Sequence, residues 1–232
     1  MNISGLQKLS LVDFPRKMAA TVFTGGCNLR CPFCHNALLV TAPAEEREHY
    51  ETGEVLDFLA SRKGLLDGVV LSGGEPLLQE GTAEFAAAAK ALGFAVKLDT
   101  NGCFPNRLRA LLDAGNIDYV AMDVKNSLSK YPSTVGIPGF DTSCVQESAA
   151  LLMEGRVDYE FRTTMVREFH TEADLLCIAH WLEGAKRYCL QNFVDSGTLI
   201  QGGLHGFFPQ EMHALAEVVR PYFADISLRG VD

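Results

Sequence analysis

The chain has 232 residues, 47% of them hydrophobic, enough for one large domain or two small ones with a substantial core. A formal charge of −9 without a basic block excludes broad contact with phosphate backbones, so no nucleic-acid partner is expected. The first residues lack the pattern of a secretory signal, and the longest apolar stretch, 85–96, is broken by Lys90; the expectation is a soluble cytoplasmic protein with no membrane partner.

In chain order, a short arm over 1–17 precedes strand-like runs at 18–23, 68–71, 94–98, 118–124, 157–164 and 188–194. Helical runs at 52–63, 81–92, 105–114, 142–154, 171–182 and 209–220 alternate with them. Thr171 with Asp174 spells a capping box, and Pro209 suits a first helical turn. Such alternation implies an α/β fold with a parallel sheet covered by helices, because parallel strands need crossovers. The candidates are a doubly wound sheet and a barrel. Six βα units fall short of the eight of a complete barrel, which predicts a partial, open (β/α)6 TIM-like barrel with a wide mouth. Nothing in the composition divides the chain, so a single domain over 1–232 is expected: the arm at 1–17, a barrel core at 18–200, and a C-terminal helix and strand in 201–232. The stretch 125–140 reads as the longest loop and is expected to be mobile.

Unusual chemistry recurs just after the strands. The cysteines follow the first, Ser72-Gly73-Gly74-Glu75-Pro76 the second and Asp99-Thr100-Asn101-Gly102 the third, which places one site at the C-terminal strand ends. Seven cysteines is an odd count for a disulfide framework, and three of them crowd one short loop; metal binding in a reducing compartment explains them better. Cys27, Cys31 and Cys34 can ligate three corners of a 4Fe-4S cluster, leaving one iron for something other than protein. Gly25 and Gly26 let the backbone bend close to the sulfides. Spacing alone leaves two alternatives: His35 completing a Cys3His zinc site, or a thioredoxin-like pair at Cys31 and Cys34.

The Cys-x3-Cys-x2-Cys spacing, with an aromatic residue before the last cysteine, resembles the signature of the radical S-adenosylmethionine superfamily. Cys34-His35-Asn36, and the run from Leu11-Val12-Asp13-Phe14-Pro15 through Ala20-Thr21-Val22-Phe23-Thr24-Gly25-Gly26-Cys27, resemble the activating proteins of anaerobic ribonucleoside-triphosphate reductase, which are glycyl radical enzyme activases. The similarity is strongest from Leu9 to Asn36 and weakest after Arg167. It implies a radical SAM barrel, a 4Fe-4S cluster on the three cysteines, and S-adenosylmethionine as cofactor. It also implies a glycyl radical enzyme as partner, namely the anaerobic reductase, and a one-electron donor such as flavodoxin or ferredoxin.

The resemblance also assigns roles to residues. Gly73, Gly74 and Glu75 would hold the amino group of the cofactor's methionine, where glycines let carbonyls approach an ammonium and a carboxylate adds complementary charge. Phe33 would pack against the adenine, though a plain core phenylalanine reads the same way. Asp99 and Asn101 belong to a further cofactor motif, as does Met122-Asp123-Val124-Lys125. Lys125 would hold the cofactor's carboxylate, and Arg162 would share that task or form a surface salt bridge. Asp99 and Asp123 would approach one monovalent cation, or pair with Lys97 or Lys125. Cys103, Cys144, Cys177 and Cys189 are scattered and expected to be buried as small hydrophobes; His170, His180, His205 and His213 are expected to be structural or on the surface. Three departures stand out: Arg16 follows Pro15 where glycine is expected, the segment 164–170 lacks the glycine-spaced pattern many superfamily members have on the fifth strand, and Gln191-Asn192-Phe193-Val194-Asp195 lacks a histidine that some activases place there, with Asp195 as a candidate for a related role. The alternatives to an activase are a small-molecule radical enzyme similar to carboxy-deazaguanine synthase and a non-catalytic, zinc-stabilised binding protein.

Overall fold

Strands that are apolar on their helix-facing side pair in parallel here because helices return the chain each time. In the computed structural model, which describes residues 1–195 and 197–231, these strands are β2 (Ala19–Thr24), β3 (Gly68–Gly73), β4 (Ala95–Thr100), β5 (Tyr119–Asp123), β6 (Asp158–Met165) and β7 (Arg187–Asn192). Two more flank them: β1 (Ile3–Ser10), antiparallel to β2, and β8 (Asp225–Arg229), parallel to β7. The strand order runs from β1 to β8 in sequence. Every crossover therefore moves the chain one strand along, as in a barrel, and β1 and β8 remain unpaired with each other among the described residues.

The helices are α1 (Ala37–Thr41), α2 (Thr52–Ser61), α3 (Thr82–Ala91), α4 (Pro105–Asp113), α5 (Tyr131–Thr134), α6 (Ser143–Met153), α7 (Glu172–Trp181) and α8 (Pro209–Val219). The six longer ones follow β2 to β7 in turn, giving the six βα units expected. The capping box forms as read: the Thr171 hydroxyl accepts from the Asp174 amide at 3.3 Å, and the Asp174 carboxylate accepts from the Thr171 amide at 2.9 Å.

The two-residue period of the strands sorts side chains between two environments. Val96 and Leu98 of β4, Val120 and Met122 of β5, and Tyr159 and Phe161 of β6 join the helices in one large core. Their neighbours Lys97, Asp99, Asp123, Glu160 and Arg162 belong to the opposite face, so the alternation itself delivers charge to the interior of the sheet. Near the start of the strands a second apolar cluster of Phe14, Ala19, Val70, Tyr119 and Ala121 closes that interior.

Two expectations change, and a departure in the sequence finds its reason. The arm is a strand, β1, over much of its length. The stretch 125–140 is not an open loop: α5 buries Tyr131 completely, stacks it on Phe140 with ring centroids 5.6 Å apart, and the Tyr131 hydroxyl accepts from the Lys125 amide at 3.2 Å. Among the described residues, 193–195 and 197–208 carry neither helix nor strand. Arg16 has φ of 60°, the left-handed region where glycine carries no penalty, which is the physical reason to expect glycine there.

Candidate active site

The loop after β2 is tied down from four directions. The Gly25 amide donates to Asn2 at 3.1 Å, Gly26 to Leu39 at 2.7 Å, Arg30 to Val135 at 2.9 Å, and Gln201 donates to the Pro32 carbonyl at 3.0 Å. This frame sets Cys27, Cys31 and Cys34 on the wall of a cavity of about 530 Å³, which side chains from β3 to β8 also line. Burial pushes the Cys27 thiol up to about 11 and the Cys31 thiol up to about 12, and raises Cys34 as well. Among the described residues, no three His, Cys, Asp or Glu side chains gather on one point as a single ion requires. A mononuclear zinc site needs such convergence. A cubane distributes its thiolates over separate irons, so three thiols spaced along one cavity wall fit it. The His35 ring packs on Phe193 at 5.6 Å, and burial lowers its pKa.

The loop after β3 is zipped to the cysteine loop. Gly74 donates to Thr24 at 2.8 Å, Glu75 to the Gly26 carbonyl at 2.9 Å, and the Asn36 side chain to the Gly73 carbonyl at 3.0 Å. Both glycines are required by this approach: a Cβ on Gly73, where φ is +112°, would lie 2.3 Å from the Thr24 nitrogen, and one on Gly74 only 1.9 Å from the Gly26 oxygen. Glu75 is held by protein donors. Its side chain is fully buried and accepts from the Leu77 amide at 2.9 Å, the Thr100 hydroxyl at 2.8 Å and the Asn101 amide at 2.7 Å. Burial pushes its carboxyl up to about 7 against those three bonds. Glu75 thus joins the loops after β3 and β4 while still lining the cavity beside Gly73 and Gly74.

Arg162 lies between the two aspartates. Its Nε donates to Asp123 at 3.0 Å and its Nη1 to Asp99 at 3.4 Å. Lys125 reaches Asp123 at 3.0 Å, Lys97 pairs closely with Asp99, and the Ser72 hydroxyl donates to Asp99 at 3.1 Å. Burial alone would raise both carboxyls, but the cations, Arg162 foremost, hold them below their ordinary range. The pairing alternative forms: Asp99 meets Lys97, Asp123 meets Lys125, and Arg162 adds positive charge beside both. Arg162 forms a half-buried ion pair, not a surface one, and Lys125 is engaged by Asp123 at the cavity wall.

Phe33 is buried, with Phe169 at 5.6 Å and His170 at 6.4 Å, and still touches the cavity. The Asn101 amide donates to Asn28 at 2.9 Å and reaches the Cys27 sulfur at 3.7 Å. Sequence reasoning missed Asn36, Thr100, Gln191 and Arg229, all on this cavity. Arg229 pairs with the buried Glu160 at 2.9 Å, and Val12 and Asp13 complete the wall near the open side. Asn36 was legible as the neighbour of Cys34-His35; the others depend on strand register. Cys189 is buried as expected, whereas Cys177 is exposed and Cys103 and Cys144 are half-buried.

The sequence model of the Radical SAM superfamily matches residues 21–182. The chain belongs to the radical SAM superfamily. Members use a 4Fe-4S cluster and S-adenosylmethionine, and these are the cofactors of this enzyme. A Methanocaldococcus jannaschii protein, named provisionally as a glycyl-radical enzyme activating enzyme, is 31% identical over 236 residues, covering 99% of this chain and 96% of its own. The pyruvate formate-lyase-activating enzyme of Listeria monocytogenes is 32% identical over 136 residues, 53% of this chain and 52% of its own. Streptococcus suis SuiB bound to S-adenosylmethionine shares the fold with a TM-score of 0.70 at 15% identity, over 88% of this chain and 48% of SuiB. No helix among the described residues of this radical SAM enzyme is long and apolar enough to cross a membrane.

Proposed function

We propose that this radical SAM enzyme is a glycyl radical enzyme activase whose partner is anaerobic ribonucleoside-triphosphate reductase. The observation that carries the activase reading is the similarity to the M. jannaschii protein along 99% of this chain and 96% of that relative. The reductase is favoured by the resemblance through Leu11–Pro15, Ala20–Cys27 and Cys34-His35-Asn36.

In this reading Cys27, Cys31 and Cys34 would hold the cluster from a loop fixed by the fold, three thiolates leaving one iron without a protein ligand. When bound, the cluster and cofactor supply a one-electron cleavage that yields methionine and a 5′-deoxyadenosyl radical. The chain binds and orients. Gly73 and Gly74 present backbone, unobstructed by side chains, to the cofactor's amino group; Lys125 and Arg162 provide positive charge for its carboxylate. Phe33 offers an apolar wall to the adenine and helps exclude water from the cysteine loop. Asp99 and Asp123 keep the two cations in place. A flavodoxin or ferredoxin supplies the electron, and the hydrogen atom leaves the Cα of one glycine of the partner to end on 5′-deoxyadenosine.

Anaerobic reconstitution with iron and sulfide, followed by reduction and addition of S-adenosylmethionine and the reductase, tests this. The expected result is a glycyl radical signal on the reductase by electron paramagnetic resonance. Release of methionine and 5′-deoxyadenosine without that signal would overturn the partner assignment. Retained zinc and no brown chromophore would overturn the cluster assignment.

A further inference from the structure

Two thiols outside the cysteine loop meet through a contact that the sequence conceals. Cys103 lies in the loop after β4, and Cys144 in the first turn of α6. The Ser148 hydroxyl, fully buried on α6, donates to the carbonyl of Gly102 at 2.7 Å and pins the helix to that loop. Cys144 is one turn before Ser148 on the same helix face. The pin therefore brings the first turn of α6 against the loop that carries Cys103, and the two thiols influence each other's ionisation. Both are half-buried, and neither lines the cavity.

Cys103 is also wired toward the cysteine loop. Its amide donates to the Asn101 side-chain oxygen at 3.0 Å, and its sulfur meets the Asn28 side chain. Asn101 in turn donates to Asn28 at 2.9 Å and reaches the Cys27 sulfur at 3.7 Å. Contacts thus run from Cys144 through Cys103 and two amides to Cys27.

We propose that Cys103 and Cys144 are a redox-active pair that closes a reversible disulfide when the protein meets a small-molecule disulfide. Cys144 attacks first, because burial raises both thiols and backbone N–H groups of the first helical turn offset part of that rise at Cys144. A mixed disulfide forms and one small thiol leaves. The Cys103 thiol then attacks the Cys144 sulfur, gives up its proton and expels the second small thiol. Two protein thiols are oxidised and one small disulfide is reduced to two thiols. The bond draws the Cys103 sulfur from Asn28 and so carries the redox state of the surroundings to the neighbourhood of Cys27. Bond formation itself requires neither the cluster nor the activase reading.

The test uses the full chain, with and without anaerobic iron reconstitution, treated with oxidised glutathione, alkylated and digested with trypsin. Cys103 is the single cysteine of peptide 98–107, and Cys144 of peptide 131–156. The expected product in both preparations is the two peptides joined, lighter than their sum by two hydrogen atoms and separated again by dithiothreitol. Separate alkylated peptides or separate glutathione adducts would overturn the proposal, as would a link confined to the iron-free preparation. Cys144→Ser should leave Cys103 alkylatable or singly glutathionylated. Ser148→Ala, by releasing the pin, should slow linking severalfold; an unchanged rate would count against the placement.

Discussion

At Gly74 the approach of two loops leaves no room for a methyl group: its Cβ would stand 1.9 Å from the Gly26 oxygen. Gly74→Ala must push the cysteine loop and the β3 loop apart, a cost of about 3 kcal/mol by comparison with overpacked cores. Urea unfolding should show that loss, and a change within about 0.5 kcal/mol would mean the loops are not held together as described. His170 provides a different test. Its Nδ1 lies 3.1 Å from both the amide and the carbonyl of Val166, and its Nε2 lies 2.8 Å from the Lys125 carbonyl; the neutral ring with its proton on Nε2 accepts from the Val166 amide and donates to Lys125. Burial first of all lowers its pKa from 6.5. Above 6.5 both folded and unfolded rings are neutral and the contribution is complete. As pH falls below it, the unfolded chain takes up a proton that the folded chain refuses, and stability declines. The stability gap between wild type and His170→Asn should therefore be wider at about pH 7.5 than at about pH 5.5. An equal gap would place a charged ring in the fold. Gly73 and Gly74 were legible in the sequence because a Gly-Gly turn after a strand has few other uses. The burial of Glu75 was not, since a carboxylate beside two glycines looks the same whether it faces a ligand or three protein donors.

Between elements, Arg162 does what no backbone bond does: from β6 it holds the ends of β4 and β5 through Asp99 and Asp123. Arg162→Met would leave two half-buried carboxylates with only Lys97 and Lys125; removal of one partner from a fully buried network costs about 3–5 kcal/mol, which sets the upper bound here. Arg162→Lys should recover only part of this, because one ammonium cannot present two separated donors. Thermal unfolding of the two variants decides; equal midpoints would show that planar geometry is immaterial. The same scale explains what was readable in the fold. Runs such as Gly68–Leu71 and Tyr119–Met122 were plain as strands, and the helices between them carried their own periodicity. β1 was obscure because Ser4, Gly5, Gln7 and Lys8 break its apolar pattern, as befits an edge that pairs on one side only. α5 is too short for periodicity, and the meeting of Cys103 with Cys144 depends on how α6 lies on the β4 loop, which no local pattern encodes.

For the molecule as a whole, the cysteine loop is fastened by backbone bonds to Asn2, Leu39, Val135 and Gln201, partners drawn from both ends and the middle of the chain. Its shape belongs to the fold before any iron arrives. A variant with Cys27, Cys31 and Cys34 all replaced by alanine should keep the far-ultraviolet circular dichroism and a cooperative transition while forming no brown chromophore on reconstitution. A collapsed spectrum would show that the cluster organises the protein. The sheltered charges have one more consequence. Mobile ions screen only what they can approach, and Asp99, Lys97 and Arg162 are withdrawn from solvent, whereas most of the net −9 is spread over the outside. Raising ionic strength should leave cofactor affinity nearly constant, so any salt dependence of the complete reaction measures the encounter between this enzyme and the macromolecules it meets.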